Sequence, residues 1–409
     1  MTSIQSSASA GTAGLSERAR WHRRLAALPL AYLAALVVVA VAHPWLPAWR
    51  WLGMHLLLLG AVTNAILVWS AHFTSTILRV PAPAHRYSVV GRLVLHNVGV
   101  AGVLASGVTD RPSMGVAGAV AVFTAVVSHL AWLIRRLHAA VPARFTVTVH
   151  YYLTAAAALL VGVPVGAWML VVDDAARPRL LLFHAHVNLL GWVILTVLGT
   201  LLTFWPTVLR TRIPDGATAA SRTALPAAVT GLTILAIGVL AWWPLLAVGG
   251  LAVFAAAAVL TAVPAWRAAR GKPPASFASW SIAAAGGWLS IALTVDAVIL
   301  ASADSPAAAA DRFSTVLTPL LVGFVAQVLI GSLAYLLPMA LGGGPAAVRM
   351  RAAVLDRHAA QRVSMANAAL AVFLLPVGPY IRITTSLLVL AAVVQFLIPA
   401  ARVLLTARR

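Results

Sequence analysis

Long apolar runs, separated by short connections rich in arginine, proline or glycine, recur along the whole chain. They lie at 25–42, 51–78, 88–108, 114–134, 145–172, 181–209, 224–243, 245–266, 277–300, 313–338, 363–379 and 383–402. About 20 helical residues cross the hydrocarbon core of a bilayer. The pattern therefore predicts an all-α polytopic transmembrane bundle of about twelve spans, the longer ones tilted or projecting from the bilayer. Residues 1–18 are mostly Ser, Ala, Thr and Gly without an apolar period, which predicts a disordered tail. Residues 19–405 are read as a single transmembrane domain. Ala40-Val41-Ala42 could pass for a signal-peptidase site, but the preceding run is long for a leader, so the reading is a retained helix.

The pattern also repeats. His55-Leu-Leu-Leu-Leu-Gly60 matches His186-Val-Asn-Leu-Leu-Gly191 at an offset of 131 residues, and the match continues without a gap through Phe73 and Phe204, then Leu78-Arg79 and Leu209-Arg210. At an offset of 132, Leu320-Leu321-Val322-Gly323 follows the same plan, with Gly331 on Gly199, Pro338 on Pro206, and Thr318 in the histidine position. This predicts a pseudo-threefold internal repeat of four helices, over approximately 19–144, 145–276 and 277–405. The alternative is chance recurrence of Leu, Gly and Ala in an Ala-rich chain. Parallel repeats place equivalent positions at equivalent depths, so the second, sixth and tenth spans should line a common interior.

Composition sharpens this picture. Hydrophobic residues are 62% of the chain and charged residues 9%, more apolar than a soluble core of this size requires. The absence of cysteine removes disulfides, thiolate metal sites, thiolate-bound haem and cysteine-bound iron–sulfur clusters. The formal charge of +20 sits in alternate connections, around Arg79, Arg135/Arg136, Arg210/Arg212, Arg267/Arg270 and Arg349/Arg351. The intervening connections hold Asp110, Asp173/Asp174 and Asp304. This asymmetry is a topology signal: it predicts a multi-pass protein of the inner or plasma membrane with both termini cytoplasmic, and lipid rather than nucleic acid as the partner. The Arg-rich stretch 348–362 reads equally as an interfacial helix or a basic linker. Glu17 is the only glutamate, and Asp296 is the only carboxylate clearly inside a span.

Candidate chemistry rests on the histidines. His55 and His186 repeat at the outer ends of spans two and six, each with a glycine, Gly60 or Gly191, about 7 to 8 Å deeper. Such a glycine admits a neighbouring helix or a flat macrocycle. His186 is read as a metal ligand. His184, which points about 200° away from it, is read as the ligand of a second centre or as an interfacial group. Asn188 is read as a hydrogen-bonding support. A second set, His72, His96, His129 and His150, lies toward the inner side on four helices and could form one polar metal or cofactor pocket.

Three groups of four helices with histidines on spans two and six resemble subunit I of the haem–copper oxidase superfamily. His184-Ala-His186-Val-Asn-Leu-Leu-Gly191-Trp looks like the H-x-H-x-x-L-x-G helix start of its cbb3-like members. The whole is similar to the NnrS family of haem- and copper-containing membrane proteins, and to the membrane region of actinobacterial copper-oxidase-type proteins, through Trp21-His-Arg-Arg24 and Thr200-Leu-Leu-Thr-Phe-Trp-Pro206. The resemblance implies haem, copper or both: His55 matches the span-two haem ligand and His186 the copper-ligand helix, and either a haem held by both histidines or a reduced centre that uses other histidines is left open. It departs from the family in span seven, which has no His-His pair, and in span ten, which has Thr318 and Gln327 but no histidine. The expected function is a membrane redox protein working near the outer face, transferring electrons or handling nitric oxide or copper. An outer-face copper protein or electron donor is its expected partner, and self-association is left open. The alternatives are a small-solute or metal transporter, and a membrane anchor or assembly subunit for an outer-face copper enzyme.

Overall fold

The computed structural model describes residues 2–80, 87–141 and 143–406, and among these all regular structure is helical. The helices are α1 (Thr2–Ala42), α2 (Trp49–Ile77), α3 (Tyr87–Thr109), α4 (Pro112–His138), α5 (Val147–Trp168), α6 (Arg177–Leu209) and α7 (Ala217–Ala241). They continue as α8 (Pro244–Gly271), α9 (Phe277–Ser302), α10 (Pro306–Leu341), α11 (Gly344–Asp356), α12 (Ala359–Phe373) and α13 (Pro379–Thr406). Eleven of the described helices are long and apolar enough to cross a membrane, the first through Arg23–Trp45. The chain is a helical membrane protein. The tail expected over residues 1–18 lies outside the residues whose side chains are described.

The eleventh predicted span, 363–379, is shorter than expected. Helix α12 has 15 residues, about 22 Å of rise, which falls short of a hydrocarbon core of about 30 Å. Pro376 disfavours helical backbone at the residue before it, and Gly378 and Pro379 then restart the chain as α13. The stretch 348–362 is helical through α11, and Asp356 Oδ1 at its end accepts from the Phe277 N–H at 2.8 Å. That bond adds to the Ser276/Ser279 capping box at the start of α9.

Small residues set the close contacts, as expected where lipid supplies no hydrophobic drive between helices. A Cβ on Gly99 of α3 would lie 2.6 Å from the Gly118 carbonyl of α4. A Cβ on Gly231 of α7 would lie 2.7 Å from the Gly250 carbonyl of α8. Both glycines of the second contact stand 132 residues after those of the first.

Helices α2, α6 and α10 each contain a π-helical segment, at Leu56–Val62, Val187–Ile194 and Thr318–Ala326, with starts 131 residues apart. Such segments are rare and concentrate at functional positions. In each, a glycine meets the preceding long helix: Gly60 the Tyr32 ring, Gly191 Ala158, and Gly323 the Trp288 ring. Trp192 Nε1 donates to Thr63 Oγ1 at 3.0 Å and ties the α6 segment to α2. Past these segments the three helices share an interior. With Tyr152 of α5 and Ile282 of α9 they line a mainly apolar, half-open chamber of about 110 Å³, whose walls include Phe73, Val193, Phe204 and Val325.

Candidate functional site

The principal polar site lies where α6 enters its π segment. His186 and Asp296, on α6 and α9, are each 2% exposed, and His186 Nε2 stands 2.8 Å from Asp296 Oδ2. His186 Nδ1 is 2.6 Å from the Leu182 carbonyl one turn earlier. A carbonyl can only accept, so Nδ1 carries hydrogen. The bond to Asp296 then holds one proton, on the ring or on the carboxyl. The Asp296 Oδ1 atom is buried without a hydrogen-bond partner among the described residues. Phe313 of α10 covers the ring at 5.1 Å between centroids. This is a proton-sharing pair held between two spans, in surroundings where ionisable side chains are costly and mark ion or proton paths.

The other expected outer ligands have different neighbours. His55 Nδ1 lies 2.9 Å from the Trp51 carbonyl, with its ring 4.0 Å from the Trp51 ring. Its Nε2 makes no hydrogen bond among the described residues. His184 is near enough to His55 to interact with it electrostatically. His184 Nδ1 donates to the Gly162 carbonyl at 2.9 Å, and Asn188 Nδ2 sits 3.2 and 3.3 Å from the two ring nitrogens. Gly162 and Gly166 of α5 leave the space that Asn188 and His184 occupy. With His184 Nδ1 donating to Gly162, Asn188 Nδ2 can donate only to Nε2, so Asn188 lies against His184 rather than His186.

These contacts decide the fit of a haem held by His55 and His186. Both ring nitrogens of His186 are engaged, and the space beside it is about 10 Å³, room for one water at most. Tyr32 and Ala158 fill the approaches to Gly60 and Gly191. The pair does not fit that role, and the two glycines serve helix contacts.

The inner set does not converge. On α2, His72 is two residues from buried Ser70 and so points to the opposite side; it is exposed, as is His150. His96 is buried, with Nε2 3.0 Å from the Leu59 carbonyl. His129 joins a separate chain, with Arg92 Nη1 3.2 Å from its Nδ1 and Ser70 Oγ 3.0 Å from its Nε2. Arg92 escaped the sequence reading. The available signal was a lone arginine five residues inside α3, flanked by Val, Gly and Leu.

Two further networks lie beside the π segments. Asn64 Nδ2 donates to the Gly60 carbonyl at 2.8 Å and to Asn97 Oδ1 at 3.1 Å, while Tyr32 O–H donates to the same Oδ1 at 2.7 Å. Gln327 Nε2 donates to the Gly323 carbonyl at 2.7 Å and to Asn367 Oδ1 at 2.9 Å, and Trp288 Nε1 donates to that Oδ1 at 2.5 Å. The plan is the same: an aromatic donor, an amide four residues after the glycine, and an asparagine on a third helix.

Among the described residues no group of three or more His, Cys, Asp or Glu is placed to hold a metal ion. No protein-family model matches the chain, and no curated protein matches it.

Proposed function

We propose that the chain is a proton-linked membrane carrier for a small organic solute. The central chamber is its solute site, and His186–Asp296 takes up and returns the proton. The buried pair carries this reading. It joins α6 to α9 at the mouth of a π segment, and Val193 on the chamber wall lies seven residues deeper, about 10 Å along the helix. A second proton on the pair weakens the tie between the two helices. The π segments of α2, α6 and α10 can absorb the resulting change in register. The reading takes the chain as three four-helix units, supported by the recurring spacings of the π segments, the glycines and the amide networks. The charge pattern supports an outer-side position for His186 and a cytoplasmic N-terminus.

The test is proton movement in proteoliposomes that enclose a pH-sensitive dye, driven by gradients of small acids, amines and neutral solutes. The wild-type chain should move protons with one of these classes, and folded Asp296→Asn should not. An absence of solute-linked proton movement across the whole panel would overturn the carrier.

A second reading retains redox chemistry and the likeness to the haem–copper oxidases. It is favoured by the unengaged Nε2 of His55, whose other nitrogen is fixed by a backbone carbonyl as is usual for metal-binding histidines, and by the nearness of His184. These two residues would hold haem or copper, which would supply the electron chemistry. A Soret band or stoichiometric copper that is lost in His55→Ala would select this reading.

A further inference from the structure

The chamber wall bears on the class of solute, a deduction that rests on the carrier reading. Ser70 lines the chamber and is 2% exposed. Its one hydrogen bond is with His129 Nε2, and the direction of that bond is fixed from the far end. A guanidinium can only donate, so Arg92 leaves Nδ1 of His129 as acceptor and Nε2 as donor. Ser70 Oγ therefore accepts, and its own hydrogen has no acceptor among the described residues.

The other polar groups on the wall are spent or are also donors. Tyr152 bonds to Thr200, whose hydroxyl donates to the Thr196 carbonyl, and Thr196 donates to the Trp192 carbonyl. Half-buried Ser332 makes no hydrogen bond among the described residues, and the buried Trp69 Nε1 has no partner there. Behind His129, Arg92 is 5% exposed and forms no ion pair with a carboxylate among the described residues. Its ring neighbour is Trp132, 5.6 Å away, and Arg135, within Coulombic range, carries the same sign. Buried charges normally have a counter-charge. This one faces a chamber with free donors and apolar walls, one imidazole away.

We infer that the solute is a short-chain monocarboxylate in the acetate-to-butyrate range. Its carboxylate accepts from the Ser70 hydroxyl with Arg92 as counter-charge, and its alkyl tail lies against Phe73, Phe204 and Val325. A chamber of about 110 Å³, somewhat smaller than the cavity of about 150 Å³ that accepts benzene, suits a tail of a few carbons. An ion of this kind crosses lipid poorly alone, and a proton compensates its charge during passage.

The experiment is binding of propionate and of neutral, nearly isosteric propionamide to the full chain in nanodiscs, read by saturation-transfer NMR and calorimetry. Propionate should bind the wild type more tightly than propionamide does. Arg92→Gln should weaken propionate by roughly tenfold, as expected for loss of a nearby counter-charge in a weakly screened interior, while leaving propionamide nearly unchanged. Arg92→Lys should retain most of the preference. Ser70→Ala, which removes the donor and leaves the His129 Nε2–H without its acceptor, should weaken both ligands by about five- to tenfold. Equal affinity for the two ligands, no propionate binding to the wild type, or propionate binding indifferent to both Arg92→Gln and Ser70→Ala would overturn the assignment. Arg92-dependent propionate binding without proton-linked uptake would remove the carrier reading and support the site. Asp296-dependent uptake of another solute, with no propionate bound, would remove the site alone.

Discussion

The two charged regions of the bundle differ in how their charge is met. At one end His186 and Asp296 neutralise each other across 2.8 Å inside a packed wall with almost no free volume. At the other, Arg92 is nearly as buried, yet it touches only a neutral imidazole and an indole, and the chain of bonds behind it ends on the chamber. A closed pair stores a proton and locks two helices. An open cation leaves a donor pointing outward for something else to satisfy.

The largest effect should come from opening the closed pair. Asp296→Leu or His186→Leu alone leaves a buried group without its partner and should cost about 3–5 kcal/mol of stability in detergent unfolding. The double replacement should recover most of that loss. Equal losses in the single and double variants would mean that the two groups do not act as a pair.

A smaller loss is expected at the open end. Arg92→Leu removes a charge that has no ion partner and strands only the His129 Nδ1 acceptor, a cost of about 1–3 kcal/mol. A loss as large as that at Asp296 would reveal a compensated guanidinium and erase the contrast.

The amide networks give the third comparison. Leu195 stands 131 residues after Asn64, and Val229 stands 132 after Asn97, the offset of Gly99 and Gly231, so the middle group of helices fills with hydrocarbon what the first fills with amides. Asn97→Ala should cost about 1–3 kcal/mol by orphaning Asn64 and the Tyr32 hydroxyl, whereas Asn64→Leu with Asn97→Ala should cost less than the single change. Thermal unfolding separates the two outcomes.

The smallest effect should be at Asp356, outside the spans. Partial burial raises its carboxyl above the ordinary range, against the opposing Phe277 N–H and the charges of Arg210 and Arg362. With the folded value raised, the protonated form is the one favoured by folding. That contribution is full below the unfolded value of about 3.9 and is lost as pH rises through the folded one. Asp356→Asn keeps an acceptor for Phe277, so at neutral pH it should leave the melting temperature unchanged or slightly higher.

Much of the fold could be read from the sequence because lipid imposes a simple rule on span length, and because the glycine spacing around His55 and His186 survives at Gly323. The span at 363–379 misled because its hydropathy continues across Pro376, where the backbone cannot. The site was legible in its parts. His186 and Asp296 both stood out as polar groups in spans, yet their pairing bridges 110 residues and leaves no local pattern. The offset match favoured His55 with His186. The contacts instead follow side-chain direction: His184 and His186 leave α6 on different sides, one toward α5 and the other toward α9.

The central claim is that His186 and Asp296 exchange a proton with the medium. Infrared difference spectroscopy across a pH jump tests it most directly, on the wild type and on Asp296→Asn. The account predicts a protonated-carboxyl band that grows on acidification and is absent from the variant. A wild-type difference spectrum without such a band, or one whose band persists in Asp296→Asn, would contradict it.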